Sequence, residues 1–379
     1  MDNRVCDMFG IDFPLFAFSH CRDVVVEVSK AGGFGVYGAA RTTPAELQNE
    51  LEWIDEHVDG MPYGVDLIVP NVFDGKDEQR SPAETLALLP DEHMAFAEEI
   101  LADHGINSEG LEEFRRDRLG WGTNLGIEGA TAHLEVAFSH PIKLIANALG
   151  VPPKIMLDMG KANGVAVAAL VGAKSHAVRQ VEAGVDILVA SGTEAGGHCG
   201  SVSTMVLVPE LHDAIKDIGD TPILAAGGIA TGRQMAACMA MGAAGAWTGS
   251  VWLTTAEAET APVVKEKMLT ASSSDTIRSR SRTGKHSRQL RSAWTDAWEQ
   301  PDAPDPLAMP LQGLISEPAL KKVEKLSAGG HQGAHDLATY WVGQGVGLMN
   351  ASQSARSVVY DFKEDFIEAF ERLSKAVGA

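Results

Sequence analysis

The chain is poor in cysteine, has no long apolar run and carries too little positive charge. Four cysteines in 379 residues (Cys6, Cys21, Cys199 and Cys238) are too sparse for a disulfide scaffold, and none are spaced Cys-x-x-Cys. A reducing, cytoplasmic setting is therefore expected, and no metal-ligand set is expected. The longest apolar run, residues 162–173, is interrupted by Asn163 and falls short of the roughly 20 residues a bilayer span needs. The opening residues Met-Asp-Asn-Arg-Val-Cys-Asp lack the basic-then-apolar order of a secretory leader. A soluble protein with no membrane partner is expected. Lys and Arg number 31 against 51 Asp and Glu, a net charge of −20. Such a surface disfavours general binding to a phosphate backbone, so no nucleic-acid partner is expected, while a small anion in a local site remains compatible.

What is present is the composition of a globular enzyme, 45% apolar and 22% charged. Short apolar runs alternate with helix-length amphipathic segments. Strands are expected at 15–19, 34–38, 63–69, 143–148, 165–171, 186–190, 222–226 and 244–248. Helices are expected at 23–31, 44–57, 153–162, 175–183, 203–218 and 231–241. Thr43-Pro44 reads as a cap followed by proline at the first helical position. Several strands are apolar throughout, as strands buried on both faces are. Eight such units, with glycine-rich segments at the strand ends, predict an α/β fold: a (β/α)8 TIM barrel.

Residues 71–140 break the rhythm. They hold fifteen acidic and five basic residues, half of the chain's excess negative charge. Helical stretches at 83–89, 92–104 and 110–118 make this a helical insertion after the third strand. It leaves from the barrel end where active sites lie, so both a solvated elaboration and a lid are open readings. The segment carrying Arg278, Arg280, Arg282, Lys285, Arg288 and Arg291 reads as a solvated turn or a face pairing with acidic surface, since no aromatic residues interleave with the charge.

Three glycine-rich segments carry chemistry. Gly33-Phe-Gly-Val-Tyr-Gly38 matches a dinucleotide fingerprint in letters only, because it follows a helix and contains a strand. Pro222-Ile-Leu-Ala-Ala-Gly-Gly-Ile-Ala-Thr-Gly232 is a buried strand ending in two glycines before a helix, and Gly245-Ala-Trp-Thr-Gly-Ser250 repeats the arrangement. Backbone N–H groups in such turns receive a phosphate, and the loops after strands seven and eight are where this fold binds one. Ser191-Gly-Thr-Glu-Ala-Gly-Gly-His-Cys-Gly200 places His198 in a flexible loop at the barrel mouth, where an imidazole suits proton transfer or donation to an anion. Cys199 is a weaker candidate nucleophile, since no second base is evident.

Gly192-Thr-Glu-Ala-Gly-Gly-His198, Ile223-Leu-Ala-Ala-Gly-Gly-Ile229, Gly242-Ala-Ala-Gly-Ala-Trp-Thr-Gly-Ser250 and Gly343-Gln-Gly-Val346 together resemble the nitronate monooxygenase family, formerly called 2-nitropropane dioxygenases. Arg282-Thr-Gly-Lys285 and Pro310-Leu-Gln-Gly-Leu314 also look like that family's C-terminal region. The resemblance covers nearly the whole chain except 71–140. It implies a barrel with non-covalent FMN, its phosphate on Gly227, Gly228, Gly249 and Ser250 and closed by Gln344 and Gly345. Ala17 and Phe18 would approach the flavin ring through their backbone. Lys143, Ser191, Gly196 and Gly197 are further candidate contacts, and His198 matches the catalytic histidine. Asp66 stands in a Gly-Val-Asp context where the family often has Gly-Val-Asn, so it would accept from the flavin N3–H edge, pair with a cation, or be a capping or core-edge residue.

The implied layout is an FMN-binding barrel over 1–70 and 141–260, the insertion over 71–140, and a C-terminal extension over 261–379 completing barrel and cofactor site. The implied activity is oxidation of alkyl nitronates with O2. NAD(P)H-dependent reduction of an enone, quinone or unsaturated acyl thioester is the alternative, and a flavin-binding module without catalysis is disfavoured. The partners implied are a small-molecule substrate with O2 or NAD(P)H as co-substrate, and a homodimer is a possible assembly.

Overall fold

The structure is a computed structural model that describes residues 3–40, 42–69, 82–122, 127–148 and 150–378. Eight parallel strands close into a barrel: β1 (Leu15–Ser19), β2 (Phe34–Gly38), β3 (Tyr63–Leu67), β4 (Leu144–Asn147), β5 (Ala166–Val171), β6 (Ile187–Ser191), β7 (Ile223–Ala226) and β8 (Gly245–Thr248). The β1–β8 pairing, Ala17 opposite Thr248, completes the ring. All eight expected strands are present, and the fold is a (β/α)8 TIM barrel.

Alternation along each strand divides the barrel into two cores. Phe16, Phe34, Val36, Leu144, Ala146, Ala168, Ile187, Val189, Leu224, Ala226 and Trp247 pack inside it. Their neighbours in sequence face outward against the helices. The helix Arg4–Phe9, which the sequence reading did not anticipate, adds Val5, Cys6 and Phe9 to the inner cluster. Phe9 packs tilted against Phe34 with ring centroids 4.8 Å apart.

Local signals set the ring helices. Pro44–His57 starts on a reciprocal cap: Glu46 N–H donates to Thr43 Oγ1 (3.2 Å) and Thr43 N–H to Glu46 Oε2 (2.7 Å). The helix after β3 is Ile127–Ser139, which packs between Pro44–His57 and Lys154–Asn163. Its sequence lies inside the expected insertion, so the excursion from the barrel ends before residue 127. The helix after β8 is Ala355–Val377, seated on Gly232–Ala240 and Arg22–Lys30. Between β8 and that helix the chain makes a second excursion.

The two excursions pack on each other. Asp91–Asp103 and Leu111–Gly122 lie against Leu311–Ala328. His93 Nε2 bonds Asp305 O (3.0 Å), Arg115 Nε donates to Leu314 O (3.3 Å), and Phe96 meets Trp298 edge-on at 5.0 Å. Residues 71–81 and 123–126 of the expected insertion lie outside the described residues. The arginine-rich segment forms an antiparallel hairpin, Thr276–Ser279 with Ser287–Leu290. Its charges are paired internally: Arg280 with Asp305 (3.1 Å), Arg282 with Glu317 (2.7 Å) and Arg291 with Asp296 (2.7 Å). No helix among the described residues is long and apolar enough to cross a membrane.

Closure of the ring depends on a backbone contact at Gly232. A Cβ there would lie 2.0 Å from Phe362 O and 2.5 Å from Phe366 N. Gly232→Ala is therefore expected to lift Ala355–Val377 off its neighbour and lower unfolding free energy by about 3 kcal/mol, the upper end of ordinary overpacking. Denaturant unfolding read against wild type checks this.

Candidate active site

Parallel strands bring the C-terminal ends of all eight to one face, and the glycine-rich loops meet there. Gly227 (φ +108°) and Gly228 (φ +69°) follow β7 in conformations that L side chains rarely adopt. Gly249 and Ser250 follow β8. The segment Gly343–Gly345, about a hundred residues later in the chain, lies across both loops: Gly343 N–H donates to Ser250 Oγ (2.8 Å) and Gln344 N–H to Glu194 O (2.9 Å). A Cβ on Gly345 would lie 2.8 Å from Gly228 O. Six expected phosphate residues, Gly227, Gly228, Gly249, Ser250, Gln344 and Gly345, are thus brought together.

Gly249 is the informative glycine. Its φ is −126°, which any residue adopts, and a Cβ would meet only Phe18 Cδ1 at 3.8 Å. Neither backbone conformation nor protein packing demands glycine here, so the space beside it is a cradle that a side chain would fill. No protein acceptor among the described residues takes a hydrogen bond from the N–H of Gly228 or Ser250. Open space bordered by unclaimed N–H groups suits an anion.

Two residues given no role by the sequence reading hold the cradle in shape. Glu194 Oε2 accepts from Thr204 N–H (2.9 Å) and lies 3.0 Å from Thr204 Oγ1. That hydroxyl is also 3.1 Å from both Ala226 O and Gly227 O. Glu194 sits inside the motif already singled out, and its signal was a carboxylate two residues before the glycine pair. Arg288 is the third such residue: it is buried, and its Nε donates to Thr193 O (2.9 Å).

His198 lies on the two-residue strand Gly197–His198, which pairs with Ser287–Arg288 of the arginine hairpin. Its Nε2 is 2.8 Å from Thr283 Oγ1. The ring keeps an exposed edge, yet burial and then the charge of Lys285 hold its pKa below the ordinary histidine value. A neutral imidazole at pH 7 results, with Nδ1 bound to nothing among the described residues. Burial pushes the Cys199 thiol up, against the opposing pull of Arg278 and Arg288. A thiol that stays protonated is a poor nucleophile, which argues against Cys199 in that role. Elsewhere, Cys21, Asp23 and Glu259 lie close together, but Cys21 Sγ already donates to Glu257 O (3.1 Å).

The remaining candidates divide by strand direction and alternation. Phe18 faces the mouth, its ring 2.8 Å from where a Cβ of Gly38 would be, and stacks on Trp247 at 6.5 Å. Ser191 ends β6 and, by alternation with Ile187 and Val189, faces inward. Gly196 packs on Val342 and Gly343, where a Cβ would meet backbone at 2.8 Å, and Gly197 borders open space. Ala17 packs its side chain outward with the helix-facing core, which leaves only its backbone for the mouth. One expectation is corrected. Lys143 precedes β4 and is exposed at the opposite end of the barrel.

Asp66 is near the C-terminal end of β3, in register with Gly38 and Ala146. Alternation points it inward, since Tyr63, Val65 and Leu67 pack outside. It is 3% exposed, and burial alone pushes its pKa up to about 8. Because the folded value exceeds the unfolded one, the native state holds this proton more tightly, and stability falls as pH rises from about 4 to about 8. Asp66→Asn removes that titration. Its advantage over wild type in unfolding free energy should be absent near pH 4, grow with pH, and level off above pH 8 at several kcal/mol. Denaturant melts across pH check the sign.

A family model described as nitronate monooxygenase matches residues 3–365. The chain is 51% identical, over the full length of both, to a putative monooxygenase of Mycobacterium tuberculosis. It is 27% identical over 360 residues to a probable nitronate monooxygenase of Staphylococcus saprophyticus, covering 91% of this chain and 92% of that one. In fold it is similar to a nitroalkane oxidase from Streptomyces ansochromogenes, with TM-score 0.77, 22% identity and 98% and 99% of the two chains covered. It is also similar to FabK from Thermotoga maritima, with TM-score 0.67, 23% identity and 99% of each chain covered. The whole-length match, on a barrel whose glycine loops and mouth histidine converge, places the chain in the nitronate monooxygenase family of flavin-dependent oxidoreductases.

Proposed function

We propose that the protein binds FMN without a covalent bond and oxidises alkyl nitronates with O2. The observation that carries this reading is the convergence of the anion cradle, Gly227–Gly228 with Gly249–Ser250 under Gly343–Gly345, with His198 at the same barrel mouth. The cradle suits a single terminal phosphate, which favours FMN over a dinucleotide. Gly227, Gly228, Gly249, Ser250, Gln344 and Gly345 would hold the phosphate, and Phe18, Ser191, Gly196, Gly197 and Asp66 would border the ring. The flavin, when bound, supplies the electron acceptor that the side chains lack.

The protein's own part is positioning and proton control. His198 is neutral at physiological pH, so it can hydrogen-bond a nitronate oxygen or, with a neutral nitroalkane, take its α-proton. Thr283 fixes the ring through Nε2, which leaves Nδ1 as the atom for either task. The layer formed by the two excursions reaches the mouth through the Arg282–Glu317 pair beside Thr283, and would select substrates by shape.

Three measurements test this. Heat-denatured protein should release FMN, and Gly249→Asp, which puts a carboxylate in the cradle, should abolish retention; recovery of FAD instead would defeat the cradle argument. Under anaerobic mixing, a nitronate should bleach the flavin while NADH and NADPH do not; the reverse pattern would assign the NAD(P)H-dependent reductase activity. His198→Asn should retain FMN and lose turnover by about 10²–10⁴-fold, and a loss under tenfold would make it a bystander.

A further inference from the structure

The carboxyl of Asp66 is claimed by nothing among the described residues. Neither oxygen has a hydrogen-bond partner among the described residues, and no cation contributes to its electrostatics. The inner layer around it is hydrocarbon: Phe18 from β1, Gly38 from β2, Ala146 from β4, and beyond them Leu170, Ala226 and Trp247. The polar and titratable groups of the flanking elements are otherwise engaged. His20 Nδ1 is bound to Gly38 O (2.6 Å), with its ring edge-on to Phe18. Tyr37 faces the outer core, and Asn147 Oδ1 accepts from Val69 N–H (3.0 Å).

A buried carboxyl in such a place has three ways to be satisfied: a cation, a set of N–H donors, or a proton of its own to give away. The described residues of the surrounding elements supply neither of the first two. The same Phe18 ring touches Gly38, Asp66's register partner, on one side and faces the Gly249 cradle on the other. Whatever fills the mouth beside that ring borders the strand pair that carries the carboxyl.

We propose that Asp66 is a protonated hydrogen-bond donor to an acceptor oxygen or ring nitrogen of the molecule occupying the barrel mouth, so that occupancy is linked to its proton. This rests on the flavin reading above. The donor role explains how a carboxyl can border a ligand that is itself negatively charged: in its neutral form it attracts where a carboxylate would repel. The raised pKa given by its burial accords with that form at neutral pH.

The test is FMN binding to the apoprotein, read by quenching of FMN fluorescence from pH 6 to pH 10. Wild type should weaken about tenfold per pH unit above the carboxyl's titration, while Asp66→Asn, which keeps a donor and does not titrate, should show no such loss. Asp66→Ala should bind more weakly than Asp66→Asn at every pH below 8. The ratio of wild type to Asp66→Asn cancels titrations of FMN itself. A flat ratio with the same pH-linked loss in nitrite binding to the holoenzyme, read from the flavin spectrum, would place the contact on substrate instead of flavin. Flat ratios in both arms overturn the proposal while leaving the flavin reading intact. Failure of wild type to bind FMN at any pH overturns both.

Discussion

Two hydrogen bonds donated by backbone N–H groups make the mouth of this barrel a site. Gly343 N–H reaches Ser250 and Gln344 N–H reaches Glu194, which ties together three segments far apart in the chain. The contact is close enough that a Cβ on Gly343 would lie 2.5 Å from Glu194 O. Without it the loops after β6, β7 and β8 would be three separate glycine-rich turns, each mobile for lack of side chains. With it they become one walled cradle. The second excursion exists to deliver that strap, and the last ring helix, Ala355–Val377, begins only after it has been placed.

The same tie explains the position of His198. Glu194 and His198 share a loop, fixed at one end by Thr204 and Gln344 and at the other by pairing of Gly197–His198 with the arginine hairpin. The hairpin's arginines are spent on this scaffolding. Arg288 holds Thr193 O, and Arg282 is paired with Glu317 while stacking on Trp341 at 3.9 Å. Part of a cluster that reads as a solvated turn or a face pairing with acidic surface is internal, since Arg282 and Arg288 are buried, while Arg280 and Arg291 pair with Asp305 and Asp296 at the surface.

Much of the fold was legible. Most barrel strands are apolar runs bounded by glycine or proline, and burial on both faces leaves little else that such a run can be. The glycine turns at the barrel mouth were legible for a related reason, since paired glycines at the end of a buried strand seldom serve packing alone. The misses have physical causes. Arg4–Phe9 spans only six residues, too few to show a period. Ile127–Ser139 follows an acidic stretch and was absorbed into it, although its ring-helix role is set by packing on Pro44–His57. Lys143 was misplaced by strand polarity: a residue entering a parallel strand and one leaving it are neighbours in sequence and a barrel's length apart in space. Thr204 carries no local signal at all and Glu194 only its place before a glycine pair, because their importance lies in a contact between them.

Charge at the mouth runs against charge on the whole molecule. The chain carries −20, yet the groups that shape the environment of His198 and Cys199 are Lys285, Arg278 and Arg288. Glu194 spends a carboxylate oxygen on Thr204, and Asp66 is held neutral by burial. The acidic surface acts over about 8–10 Å at moderate ionic strength, while the charges that act on His198 and Cys199 are cationic. Two effects compete at each titratable group there. At Cys199 burial outweighs two arginines and the thiol stays protonated, while at His198 burial and Lys285 act in the same direction and the imidazole stays neutral. The site is thus set up with neutral groups that can give or take a proton, in a field that favours negative charge on the ligand.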